Sequence, residues 1–263
     1  MANKTKAKMK IALLQSPLIW ENPIANRIAF EEKINAIDSV VELIVLPEMF
    51  TTGFTMNPER VEETMQGETV QWLQSLAKAK TAAITGSVVI KENGNYYNRL
   101  LFVFPSGQVQ FYDKRHLFTL AGEEKTYTAG KDKLIVDYLG WKICLLVCYD
   151  LRFPVFSRNV ESYDVLVYVA NWPEVRVLAW DSLLRARAIE NLSYTIGVNR
   201  MGEDANALKY NGHSQLIDSL GNYIISPQEE EGVFIAEIDH TALIANRKKL
   251  NFLNDADNFE IKD

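Results

Sequence analysis

The chain has 263 residues, enough to bury one large core, and its 48% apolar and 24% charged side chains are ordinary for a globular protein. Its 28 basic and 34 acidic residues give a net charge of −6, which argues against a broad nucleic-acid or anionic-membrane footprint. Two cysteines, Cys144 and Cys148, are too few for a disulfide framework. Four apart on an expected strand, they would lie about 13 Å from one another, too far to bridge, so a reducing cytoplasm is the expected setting.

At the N-terminus, the basic stretch MANKTKAKMK is followed only by IALL before Gln15, Ser16 and Pro17, too short for a signal-peptide core. Residues 1–8 are expected to be a flexible lead-in to a single domain running to residue 263, and no later stretch approaches a membrane span. Short β-branched apolar runs then predict strands at 10–15, 42–47, 82–90, 97–104, 109–113, 141–148, 163–171, 193–200, 214–219 and 232–239. Between them, three- and four-residue apolar spacing predicts helices over 22–39, 67–80, 154–161 and 175–192. In the last of these, Val177, Trp180, Leu184 and Ile189 mark the buried side, with Asp181, Arg185 and Arg187 elsewhere. ENGN (92–95), PSG (105–107) and SLGN (219–222) supply the Gly and Asn that tight turns need, and EEE at 229–231 is expected to be a solvated loop. Many strands with a few helices and no repeat or linker predict a layered α/β fold with much antiparallel pairing.

Ligands of such folds gather beyond the carboxyl ends of strands. Reactive side chains follow apolar runs at Glu48 (after LIVLP), Lys114 (after VQFYD) and Cys148 (after ICLLV), and Asn171 and Trp172 end a fourth run. Singly, each has a plain structural reading: a solvent-facing carboxylate, a charged turn in DKRH, a small core thiol, a packing aromatic. Together they match one chemistry. A thiol attacking a carbonyl or nitrile carbon needs a base for its proton, which a desolvated carboxylate supplies. A nearby ammonium favours the thiolate and stabilises an oxyanion, and the N–H of Tyr149 at the next helix start is a natural second donor. The strand–turn–helix around Cys148 has the mechanics of a nucleophile elbow without its G-x-S-x-G sequence.

Three rivals fit less well. A metal-dependent phosphodiesterase would cluster carboxylates and histidines, but His116, His213 and His240 are scattered. Zinc-ligand spacing is absent, and GHS at 212–214 is too slight for a Ser–His–Asp hydrolase. A binding protein without catalysis would not need all three reactive residue types.

The segments LPEMFTTGF (46–54), YDKRHLF (112–118), CYDLRFP (148–154) and ANWPEVR (170–176) resemble, in order, the signature segments of the nitrilase superfamily of carbon–nitrogen hydrolases. The similarity runs from KIALLQSPLIWENP to EIDHTALIANRKK, nearly the whole chain. The resemblance implies a four-layer αββα sandwich, a Glu48–Lys114–Cys148 catalytic set and a dimer or larger homo-oligomer. It also implies a further acid in LFTLAGEEKTYTAG, matching Glu123, or Glu124 if the loop aligns one residue off. KRHLFTLAGE, CYDLRFPVFSRN and NWPEVR with LLRARAIEN look most like the ω-amidase branch, which deamidates 2-oxoglutaramate and 2-oxosuccinamate. The expected substrate is therefore a small carboxylate-bearing amide, with Phe118 and Trp172 walling its pocket and Arg176 as the cation for its carboxylate. No cofactor is implied, since side chains and water suffice.

Overall fold

In the computed structural model, residues 6–261 are described. β1 (Lys8–Gln15), β2 (Leu43–Val45), β3 (Ala83–Glu92), β4 (Asn95–Val103) and β5 (Val109–Asp113) lie side by side in that order. The first three are parallel, and the last two continue as antiparallel hairpins. A second sheet has the order β6 (Leu134–Tyr138), β7 (Trp141–Val147), β8 (Val165–Ala170), β9 (Tyr194–Asn199), β12 (Ser214–Ile217) and β13 (Tyr223–Gln228), with β7, β8 and β9 parallel. β10 (Met201–Glu203) and β11 (Lys209–Asn211) form a separate ribbon, and β14 (Gly232–Asp239) returns to pair with β1 and complete six strands in the first sheet.

Alternation along the strands builds the layers. Ile11, Leu13, Val45, Leu100 and Phe102 of the first sheet share one buried cluster with Leu145, Val167 and Ile196 of the second. The intervening Ala12, Leu14, Ile44, Leu101 and Val103 turn outward onto Phe30 and Ile34 of α1 (Pro23–Asn35) and Val70 and Leu73 of α2 (Glu68–Lys80). On the far side, Trp180, Leu184 and Ala188 of α4 (Val177–Asn191) and Leu243 of α5 (His240–Leu250) join the core of the second sheet. The result is the four-layer αββα sandwich. Strands covered on both faces read as unbroken apolar runs, which is why IALL and ICLLV carry no polar alternation.

All ten expected strand segments form. β6, β13, the β10–β11 ribbon and α5 are additions, and α3 is a single turn (Pro154–Ser157) where a longer helix was expected. Asn93 and Gly94 take the two positive φ angles, 50° and 81°, that a two-residue hairpin turn requires. The bulk of the expected lead-in, residues 1–5, lies outside the described residues; Lys6 donates its N–H to the Leu139 carbonyl and Lys8 opens β1. In α4 the expected face is corrected. Ile189 is 48% exposed and Arg187 is buried, because buried positions follow the row Trp180, Leu184, Arg187, Ala188 and Asn191. Arg187 is drawn inward by the Leu151 carbonyl, to which its Nη2 donates at 2.7 Å.

One contact fixes the end of β5. The Gly130 N–H donates to the Lys114 carbonyl at 3.0 Å, and a Cβ at residue 130 would stand 2.1 Å from the Asp113 carbonyl oxygen. Gly130→Ala must therefore displace the strand end that carries Lys114. We expect a fall in thermal midpoint equivalent to about 1–3 kcal/mol together with a loss of catalytic turnover, read by calorimetry and activity on the same preparation.

Candidate active site

Glu48, Lys114, Cys148 and Asn171 each follow the carboxyl end of a strand: β2, β5, β7 and β8 respectively. The parallel strands of both sheets bring these ends together. Behind Glu48, Gly86 of β3 lets the loop after β2 approach closely, since a Cβ there would lie 2.8 Å from that of Leu46. Ser87 then anchors the loop, its Oγ accepting from Met49 N–H at 2.8 Å.

The Glu48 carboxylate is fully buried and saturated with donors. Its Oε1 accepts from Lys114 Nζ at 3.0 Å and Asn98 Nδ2 at 2.8 Å, and its Oε2 from the Asn171 N–H at 2.8 Å. Asn171 Nδ2 also donates to the Glu48 carbonyl at 2.6 Å, locking the two strand ends together. Lys114 in turn donates to both oxygens of Glu123, at 3.1 and 2.9 Å, and the Phe118 N–H reaches Glu123 Oε2 at 2.6 Å. Glu123 is buried and meets the lysine, whereas Glu124 faces solvent. Burial opposes charge on Lys114, but the Glu123 and Glu48 carboxylates outweigh it and raise the ammonium above its ordinary value. Glu123 itself is raised, by burial first and by the Glu48 charge, with Lys114 pulling the other way.

Cys148 does not continue the strand. β7 stops at Val147, and Cys148 turns into the left-handed region at φ 44° to open a 3-10 helix, Cys148–Arg152. A non-glycine residue pays about 1–2 kcal/mol there, so the elbow needs a clamp. Asp150 supplies it. Its buried carboxylate accepts from Val147 N–H at 2.9 Å and Tyr112 OH at 2.8 Å on one oxygen, and from the His116 N–H at 3.0 Å on the other, which also meets His116 Nδ1 at 2.7 Å. The Cys148 turn and the lysine loop are thereby tied to one side chain. Burial, then the Glu48 carboxylate, push the Cys148 thiol well above its ordinary value, against the pull of Lys114. The expected favouring of thiolate by the lysine is thus outweighed, because two carboxylates already claim its charge. Cys148 Sγ lies 4.0 Å from the Asn171 carbonyl oxygen, to which it donates.

Glu48, Lys114 and Cys148 open on a cavity of about 450 Å³. Phe118, Tyr149, Trp172 and Arg176 all line it, with the Phe118 and Tyr149 rings edge to face at 5.0 Å, while Glu123 stands behind Lys114. Arg176 lies 5.4 Å over the Phe118 ring. Several wall residues have no counterpart among the sequence-based candidates: Arg152, stacked 4.9 Å over Trp172, Trp20, and Asp204 and Tyr210 from the β10–β11 ribbon. Arg152 sits inside CYDLRFP and could have been suspected from it. The ribbon strands, three residues each, carry no periodic signal. Among the described residues, neither Arg152 nor Arg176 has a carboxylate partner.

A half-buried thiol beside a buried carboxylate–ammonium pair, at the end of a four-layer sandwich, points to a hydrolase of the nitrilase type. The carbon–nitrogen hydrolase family profile matches residues 10–248, and the chain belongs to that family. It falls in the ω-amidase-like branch: it is 44% identical to the ω-amidase YafV of Escherichia coli K12 over 254 residues, covering 96% of this chain and 98% of that protein. It is 33% identical to the 2-oxoglutaramate amidase of Bacillus subtilis 168, covering 88% and 91%. The crystal structure of XC1258 from Xanthomonas campestris, a CN-hydrolase superfamily protein with an arsenic adduct in its active site, superimposes with a TM-score of 0.95 at 41% identity, covering 98% and 100%.

The charge balance around the thiol has a measurable consequence. Glu48→Gln removes the carboxylate that raises the Cys148 thiol, so its apparent pKa falls. Lys114→Met removes the opposing ammonium, so it rises. Thiolate absorbance, or the pH dependence of iodoacetamide labelling, reads both shifts; shifts of the same sign in the two variants would contradict this balance.

Proposed function

We propose that this carbon–nitrogen hydrolase cleaves the carboxamide of a small carboxylate-bearing substrate of the 2-oxoglutaramate or 2-oxosuccinamate type, through a cysteine thioester, releasing ammonia. The convergence of Cys148, Glu48 and Lys114 on the floor of one cavity carries the reading. With the substrate amide over the thiol, Glu48 takes the S–H proton as Sγ bonds to the amide carbon. The oxyanion forms against the Lys114 ammonium and the Tyr149 N–H, which lies in the first turn of the 3-10 helix, where backbone donors lack an intrahelical acceptor. Glu48 returns the proton to the leaving nitrogen, the carbon–nitrogen bond breaks and ammonia departs. Water, deprotonated by Glu48, then cleaves the thioester to the carboxylic acid and restores the thiol. Glu123 holds Lys114 in place for both steps.

A thiol raised above its ordinary value suits this sequence, because the proton that Glu48 must pass to nitrogen then starts on sulfur. At the other end of the cavity, Arg152 and Arg176 offer the cationic pair for a substrate carboxylate, and Phe118 and Trp172 orient the two guanidinium groups by stacking. The names of the ω-amidase and 2-oxoglutaramate amidase relatives support the same substrate class. A homo-oligomer, dimeric or larger, and a cytoplasmic setting belong to the same proposal. The two free thiols support the second, and no helix among the described residues is long and apolar enough to cross a membrane.

Ammonia release from a panel of 2-oxoglutaramate, 2-oxosuccinamate, glutamine, an N-carbamoyl amino acid and a simple nitrile tests the substrate class. We expect best turnover on one of the two 2-oxo amides; preference for the carbamoyl compound or the nitrile would replace it with another activity of the superfamily. Glu48→Gln, Lys114→Met and Cys148→Ala should each lower kcat/KM by about 10³-fold or more. Arg152→Ala and Arg176→Ala should raise KM by about tenfold with kcat nearly kept, in line with a lost charge-assisted contact. An unchanged KM in both variants would place the carboxylate elsewhere.

A further inference from the structure

We infer that Asn98 is a positioning residue of this site: its side-chain amide holds Glu48 and Glu123 as a pair of hydrogen-bond acceptors and so favours Glu48 as a carboxylate able to take a proton. Asn98 lies in β4 with its side chain fully buried. Its Nδ2 donates to Glu48 Oε1 at 2.8 Å and to Glu123 Oε1 at 3.4 Å. The same two oxygens accept from Lys114 Nζ at 3.0 and 3.1 Å. Two carboxylate oxygens and two nitrogen donors thus form a closed ring, one donor charged and the other neutral.

The charge count explains the need for the neutral donor. Two carboxylates share one ammonium in a buried site, and burial together with the Glu48 charge already raises Glu123. A second ammonium would neutralise the cluster and draw the proton-accepting power out of Glu48. An amide stabilises both anions without adding charge. The other ionisable groups around the ring are Cys148, whose thiol donates to the Asn171 carbonyl at 4.0 Å, and Tyr127, whose hydroxyl is committed to the Thr55 carbonyl at 2.8 Å. Neither supplies a competing cation.

The amide's orientation is dictated by its neighbours. Among the described residues, Asn98 Oδ1 is buried with no hydrogen-bond partner. Rotating the group would aim that oxygen at two carboxylates and leave the NH₂ facing the unpartnered side. The residue tolerates an orphan acceptor in order to present both N–H groups to the acids. Its backbone does separate work, since the Asn98 carbonyl accepts from the Lys114 N–H at 3.0 Å. Side-chain replacement leaves that bond in place, so the amide's contribution can be isolated.

This inference rests on Glu48 as the proton-transfer group. The test compares pH profiles of kcat/KM for wild type, Asn98→Leu, of similar size without a donor, and Asn98→Asp, of the same shape with an ionisable group, with thermal midpoints recorded for each. Loss of the donor disfavours the carboxylate form, so the acid limb should move to higher pH by about one unit or more in Asn98→Leu. It should move further in Asn98→Asp, where a third carboxyl joins the cluster. Activity should recover toward wild type on the alkaline side of the shifted limb. A uniform loss at every pH with the limb unmoved, or no change at all, overturns the inference. Glu48→Gln run alongside separates the two readings. If it stays active, the proton-transfer role falls and this inference with it; if it is inactive while the limb is unmoved in both Asn98 variants, the inference alone falls.

Discussion

The buried cluster of Glu48, Lys114 and Glu123 is the constraint that the rest of the structure serves. All three side chains are at most 1% exposed, and they carry one positive against two negative charges. Taking such groups out of water is costly unless each finds partners with good geometry. Here the partners come from both sheets: Lys114 and Asn98 from the first, the Asn171 N–H from the second, and the Phe118 N–H from the loop between them. The relative placement of the two sheets at their carboxyl edge is therefore an electrostatic requirement as well as a packing one. Breaking any one link leaves an uncompensated charge in the core.

The nucleophile is held by different means. Cys148 sits in an unfavourable backbone region so that its thiol can leave the strand line and face the cavity. The four donors on Asp150 and the Arg187 bond to the Leu151 carbonyl hold the turn that makes this possible. Strain of this size at a reactive residue is sustained only where the surroundings over-determine it. Asp150 also links the elbow to Tyr112 and His116, on either side of Lys114, so one side chain fixes the placement of the thiol relative to the ammonium. The elevated thiol follows from the same architecture.

Much of this was legible in the chain. Glu48, Lys114 and Cys148 stand out because a strand buried on both faces leaves an apolar run, and a reactive side chain just past such a run marks the edge where ligands gather. Phe118, Tyr149, Trp172 and Arg176 fall close to those marks, and the structure places all four on the cavity wall. Glu123 is the expected acid, with Glu124 in its place if the polar loop aligns one residue off; the left-handed Gly122 and the short turn after it send only the first inward. Arg187 and Ile189 were assigned to the wrong sides of α4, since a guanidinium can be buried when a backbone carbonyl awaits it. Asn98 carried no distinguishing signal, because Asn95 and its neighbour Arg99 make the first half of β4 polar as well.

By itself, the order of residues determined which chemistry the protein carries: a thiol, a carboxylate and an ammonium, each at a strand end, on a fold of alternating strands and helices. Those features are local, written in period-two patterning and in the residue after each run. The tertiary structure decided what the groups do to one another. It selected Glu123 over its neighbour, recruited Arg152, Asn98 and Asp150, and set the thiol's protonation against the lysine's pull. Electrostatic energies in a dry site depend on separations of a few ångströms between residues dozens to more than a hundred positions apart, and only the packing of two sheets fixes those.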